Sequence, residues 1–135
     1  LFLAAWGNDT LAYCTGMLIG KHKMSPILSP KKSIEGLIGG IVGAAILGAL
    51  YGLYLNTYIR FSFNPVTMFP IVCGLGGAVS VIGDLAASAI KRDSGIKDYG
   101  TLIPGHGGIL DRFDSIIFIA PVIYYLTVMI SGGAI

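Results

Sequence analysis

A chain of 135 residues that is 54% hydrophobic and only 12% charged does not read as a water-soluble domain, in which about a quarter of the residues are charged. Its mean hydropathy of +0.78 points to a bilayer. A formal net charge of +2 is too small to argue for a nucleic-acid partner.

The first candidate element, Leu1–Gly20, is apolar but interrupted by Asn8, Asp9 and Thr10. It reads as a full span or as the end of a longer helix. The start on Leu1, without a signal-peptide pattern, is what a fragment or a processed chain would show. The second element, Gly36–Asn56, carries no charge and satisfies the need for about 20 apolar residues in a membrane helix. The third, Val66–Ile90, holds one charge, Asp84, and its Pro70 and the glycines within 74–77 predict a bend. The fourth, Phe113–Ile135, has Asp114 at its entrance. Glycine, at 20 residues, suits helices that pack closely in lipid. Cys14 and Cys73 lie in apolar runs without a CxxC spacing and read as packing residues.

The expected fold is all-α: one polytopic membrane helix bundle over residues 1–135, with about four transmembrane helices and two basic loops. Residues 21–35 carry Lys21, Lys23, Lys31 and Lys32, and residues 91–112 carry Lys91, Arg92, Lys97 and Arg112. These two loops share a side of the bundle, while the loop on the other side, 57–65, carries only Arg60. The bias in basic residues predicts that both rich loops face the cytoplasm. Topology signalling and attraction to anionic lipid account for the lysines. They do not account for the acids.

A carboxylate within a span costs roughly 2.5–3.5 kcal/mol on insertion scales, yet Asp9, Asp84, Asp111 and Asp114 all fall near cytoplasmic ends. Their convergence suggests a shared cation or a relay. The plain alternatives are a Lys or Arg partner for Asp84 and a capping or packing role for Asp9. Asp84, Ser88 and Lys91 recur at i, i+4 and i+7, one face of a helix. A carboxylate, a hydroxyl and an ammonium in line suit a phosphate held by metal and lysine together. Mg²⁺ takes oxygen ligands and usually keeps substrate phosphates in its shell, and Arg engages phosphate oxygens in bidentate fashion.

The stretch GHGGILDRFD, Gly105–Asp114, adds a glycine-rich loop that lets a ligand approach the main chain. Asp111 and Asp114 lie on one face of a starting helix, whose free N–H groups form an anion site. His106 could donate a hydrogen bond or act as a base.

The segment Ser88–Asp114 resembles the signature of the CDP-diacylglycerol synthases, also called phosphatidate cytidylyltransferases. The matching positions are Ser88, Lys91-Arg92, Lys97-Asp98, His106-Gly107-Gly108, Asp111-Arg112 and Asp114, all at the family's spacing. Asn8–Gly40 resembles the family's upstream segment through Asp9, Ala12-Tyr13, Gly16 and Ser29-Pro30-Lys31-Lys32. The chain departs from it at Ser33-Ile34, where the family commonly has Thr-Trp. Family members are longer, with further helices ahead, so this chain looks like the C-terminal catalytic half.

The resemblance implies a Mg²⁺-dependent reaction of CTP with phosphatidic acid that gives CDP-diacylglycerol and pyrophosphate. It also implies an integral membrane enzyme, a homodimer, with its site facing the cytoplasm. By the same resemblance Asp84 and Asp111 belong to a metal centre, and Ser88, Lys91 and Arg92 to the same polar pocket. Asp114 is expected in or next to the ligand set of one or two cations, and His106 beside the reacting groups. Asp9, Lys31, Lys32, Lys97, Asp98, Gly107, Gly108 and Arg112 complete the expected substrate-binding set, with Lys31 and Lys32 on the triphosphate. Three rivals are set against this reading. A CTP-dependent polyprenol or phytol kinase would release CDP. An ion transporter would use Asp84 as its intramembrane acid and would show inverted repeats. A structural lipid-binding subunit would not need the acids.

Overall fold

A computed structural model describes residues 1–25, 29–60, 63–96 and 110–131. A π-helical turn, Leu3–Gly7, runs into α1, Asn8–Ile19. A two-stranded antiparallel hairpin follows, with β1 at Lys23–Ser25 and β2 at Ser29–Ser33. Three long helices complete the chain: α2, Ile34–Tyr58; α3, Pro65–Asp93; and α4, Leu110–Ile130. The four expected spans are thus four helices, and three of them are long and apolar enough to cross a membrane. The first consists of the π turn and α1, which follow one another without a break, and the polar run Asn8-Asp9-Thr10 opens α1.

Local chemistry sets the helix starts. Ser33 Oγ accepts from Gly36 N at 3.1 Å and caps α2. Asn64 Oδ1 accepts from Val66 N at 3.0 Å, and Pro65 opens α3 at the position where proline costs no hydrogen bond. Pro70 lies further along, and α3 is continuous through it to Asp93. Lys91 and Arg92, expected in a loop, are therefore its last turn, where basic side chains complement the helix dipole. α4 begins at Leu110, so Asp111 and Asp114 fall in its first turns.

Packing runs through α2. Gly36, Gly40, Ala44, Gly48 and Gly52 recur every fourth residue and are all buried. A Cβ on Gly36 would stand 2.7 Å from Ala12 O, and one on Gly40 2.8 Å from Ala12 Cβ. On Gly48 and Gly52 it would stand 2.6 Å from Phe69 O and Pro65 O. The first half of α2 therefore presses on α1 and the second half on α3, each antiparallel to it. α4 packs on α3 in the same sense, with Phe118 against Gly83 and Ile123 against Gly76. Ile116 and Ile119 form a buried cluster with Ala5. Large apolar side chains such as Ile38, Val42, Ile46 and Leu50 point outward, as they do on a surface solvated by lipid. Cys14 is exposed and Cys73 buried, both as free thiols.

This up-and-down order brings the end of α1, the hairpin, the start of α2, the end of α3 and the start of α4 to one end of the bundle.

Candidate active site

The hairpin reaches across the bundle end. Lys32, at the base of β2, places its ammonium on the Asp84 carboxylate of α3. Both side chains stay partly exposed. The contact joins residues 52 apart in sequence. It lies in the wall of a cavity of about 310 Å³, at the lower end of the range of small-molecule sites. Asp9, Ala12 and Tyr13 of α1 line it, with Met24 of β1, Ser33 and Gly36 at the start of α2, and Val81 and Asp84 of α3.

Asp9 comes to this cavity from the first turn of α1. The preceding residue, Asn8, is fully buried, wedged at the α2–α3 contact where a Cβ on Gly40 or Gly77 would meet its Oδ1. Its Nδ2 donates to Asp9 Oδ1 at 3.5 Å. Among the described residues the cavity wall thus carries two carboxylates and one ammonium. That excess of negative charge, made of hard oxygen donors, fits Mg²⁺, which is commonly held by one or two carboxylates and completes its shell with water and phosphate oxygens. Among the described residues no group of three or more His, Cys, Asp or Glu side chains gathers to hold a metal. The side chain of Asp111 lies outside them.

A second charged contact lies on α3, two turns beyond Asp84. Lys91 Nζ stands 3.6 Å from Asp114 Oδ2 of α4, and both side chains are nearly enclosed. Asp114 Oδ1 accepts from Ser115 N at 2.7 Å. Asp84, Ser88 and Lys91 share one α3 face, as the spacing predicts, but the two charged members divide between partners. Asp84 meets the hairpin and α1, whereas Lys91 meets α4. Ser88 is half-buried between them, and Arg92 is exposed at the helix end.

The structure thus brings Asp9, Lys32 and Asp84 together and pairs Lys91 with Asp114. Lys31 belongs to β2 and Asp111 and Arg112 to the first turn of α4 by their backbones, but their side chains lie outside what is described. Lys97, Asp98, His106, Gly107 and Gly108 lie outside the described residues.

Sequence reasoning missed one pair at this end. His22 Nδ1 contacts Glu35 Oε1 at 2.6 Å. The signal available was a lone acid, Glu35, in the first turn of the otherwise uncharged α2, separated from the Lys31-Lys32 pair by Ser33 and Ile34.

Fold and site define a polytopic helical protein of the membrane type, with acids and lysines interleaved at one end of the bundle. Residues 1–130 match the cytidylyltransferase family, and the chain belongs to it. A phosphatidate cytidylyltransferase of Staphylococcus saprophyticus is 40% identical over 129 residues, covering 96% of this chain and 48% of that protein. One of Staphylococcus aureus strain COL is 42% identical over 127 residues, covering 94% of this chain and 47% of that protein. The chain spans about half the length of the curated relatives it matches.

Proposed function

We propose that the protein carries the catalytic site of a phosphatidate cytidylyltransferase: CTP and phosphatidic acid give CDP-diacylglycerol and pyrophosphate. The observation that carries this reading is the meeting of Asp9, Lys32 and Asp84 around one cavity at the basic end of the bundle, in a chain whose named relatives are phosphatidate cytidylyltransferases.

The phosphate of phosphatidic acid is already a nucleophile. One of its oxygens attacks the α-phosphorus of CTP in line, the bond from that phosphorus to the bridging oxygen breaks, and pyrophosphate leaves with the electron pair. Little covalent work is left to the protein, so positioning and charge neutralisation dominate. Lys32, with Lys31 beside it, takes the triphosphate from the hairpin side. Lys91, Arg92 and Arg112 take phosphate oxygens from the α3–α4 side, with Asp114 standing behind Lys91. Asp84 and Asp111 would hold Mg²⁺, which when bound offsets charge on the transferring phosphoryl group. Ser88 serves as a ligand rather than an attacking group, His106 donates a hydrogen bond or acts as a base, and Gly107 and Gly108 belong to the substrate-binding set.

The site's depth suits a reaction between a lipid and a soluble nucleotide. Asp84 lies about 14 Å of helix rise below the end of α3, within reach of a lipid headgroup. The basic bias of the flanking loops supports a cytoplasmic mouth, where CTP is available. A homodimer is part of the same proposal by family resemblance.

The test is pyrophosphate release by the detergent-solubilised protein with CTP, Mg²⁺ and phosphatidic acid, each omitted in turn. Release that needs all three supports the reading. Release of CDP would favour a kinase, and folded protein that binds no Mg²⁺–CTP would overturn it.

A further inference from the structure

The Lys32–Asp84 contact depends on where the hairpin sits, and the hairpin is fastened at its base. His22, just before β1, is fastened to Glu35, in the first turn of α2, by three contacts. Its Nδ1 donates to Glu35 Oε1 at 2.6 Å. Its backbone N–H is shared between Glu35 Oε1 and Oε2 at 3.3 and 3.2 Å. The chain closes the loop in return, for Ile34 N donates to His22 O at 2.9 Å. Directly above, Lys23 pairs with Ser33, the α2 cap.

Lys32 is the residue before that cap. The direction in which its backbone leaves α2 is therefore set by the same few bonds that join His22 to Glu35. We infer that His22 and Glu35 are positioning residues that seat Lys32 on Asp84. Its consequence for nucleotide binding rests on the function proposed above. Neither residue need touch substrate: the His22 side chain is 76% exposed, and neither residue lines the cavity.

An exposed ion pair alone contributes little. A carboxylate that takes a backbone N–H as well as an imidazole N–H is different, because charge-assisted bonds are the stronger kind and here they close a ring between two elements. Losing them costs little overall stability but frees the hairpin. The lysine is then as available to water as to Asp84. Nucleotide capture suffers, whereas the chemical step, once the nucleotide is seated, does not.

The experiment has two readouts on the detergent-solubilised protein and its His22→Ala, Glu35→Ala and His22→Asn variants. In the asparagine variant the amide nitrogen lies as many bonds from Cα as Nδ1 does, so it can restore the donor. The first readout is acetylation of Lys32 by a small amine-reactive ester, followed residue by residue by mass spectrometry, with exposed Lys21 and Lys23 as internal references. Lys32 labelling is expected to rise about fivefold in His22→Ala, the factor for losing one hydrogen bond's net contribution, to rise at least as much in Glu35→Ala, which also removes the acceptor of the His22 backbone N–H, and to return towards wild type in His22→Asn. The second readout is steady-state kinetics. KM for CTP is expected to rise by a similar factor in the alanine variants, with kcat and KM for phosphatidic acid unchanged.

Lys32 labelling that does not change in the alanine variants overturns the inference, as does a gain that His22→Asn fails to reverse. A fall in kcat with KM for CTP unchanged also overturns it. Should wild-type protein turn over no CTP, the proposed function fails, and the labelling still decides whether His22 and Glu35 seat Lys32.

Discussion

Lys91 of α3 and Asp114 of α4 form an enclosed charge pair across the bundle, 3.6 Å apart with side chains only 12% and 10% exposed. Such a pair is worth little over apolar residues of the same shape, but neutralising one side takes a charged partner from an enclosed lysine. Asp114→Asn is therefore expected to destabilise the protein by about 1–3 kcal/mol, read as a lower midpoint of thermal unfolding in detergent. Combining it with Lys91→Met should recover much of that loss, although the double variant would lack the lysine proposed to bind phosphate. A single variant with an unchanged midpoint would mean that the pair is open to water.

Asp111→Asn tests the proposed metal role. The change keeps volume and helix start while removing the charge. Metal stabilisation of a phosphoryl transition state is worth several kcal/mol, so turnover should fall by about a hundredfold or more. Yield and thermal midpoint should match wild type. Wild-type-like pyrophosphate release would remove Asp111 from the metal centre.

Lys32 occupies a carboxylate that a cation would also want. Lys32→Ala should therefore lower the Mg²⁺ concentration at half-maximal activity severalfold, because Asp84 is no longer shared, while KM for CTP rises. A magnesium titration at saturating CTP separates the two effects. An unchanged half-saturation point would show that lysine and cation do not compete for Asp84.

Glycine replacement should be sharply position-dependent. A Cβ at Gly40 meets Asn8 Oδ1 at 2.7 Å and the Asn8 carbonyl at 2.9 Å, whereas one at Gly74 meets Ala45 Cβ at 3.4 Å and Ile41 O at 3.9 Å, both ordinary contacts. Gly40→Ala is expected to cost about 1–3 kcal/mol through overpacking. Gly74→Ala should be neutral or slightly stabilising, since alanine is the better helix former. Thermal midpoints of the two variants, measured side by side, check this.

The long helices were legible in the sequence because lipid demands an uninterrupted apolar length. Gly36–Asn56 falls within α2, and Val66–Ile90 within α3. The ends were less so. Hydropathy falls away after Ile90, but Lys91, Arg92 and Asp93 continue the helix, since nothing in their backbone preference stops it. The hairpin was not legible. Lys23–Ser33 has no apolar alternation, and its pairing is held from outside by Glu35 and by the Ser33 cap. The acids of the site were legible as costly residues in apolar spans. Their division was not: that Asp84 faces a lysine from a distant hairpin while Lys91 turns to α4 depends on which helices become neighbours.

The small-residue stripe of α2 ties the two ends of the protein to a single rotational phase. Its upper half is keyed to α1 and its lower half to α3, so the helix works like a key cut for two locks. One residue inserted between Gly40 and Gly48 would turn one half against the other by about 100°. Either Asn8 and Asp9 or the start of α3 would then lose its seat. Length changes in this helix should accordingly be tolerated only where a whole turn is gained or lost, a constraint that falls on spacing rather than on any one side chain.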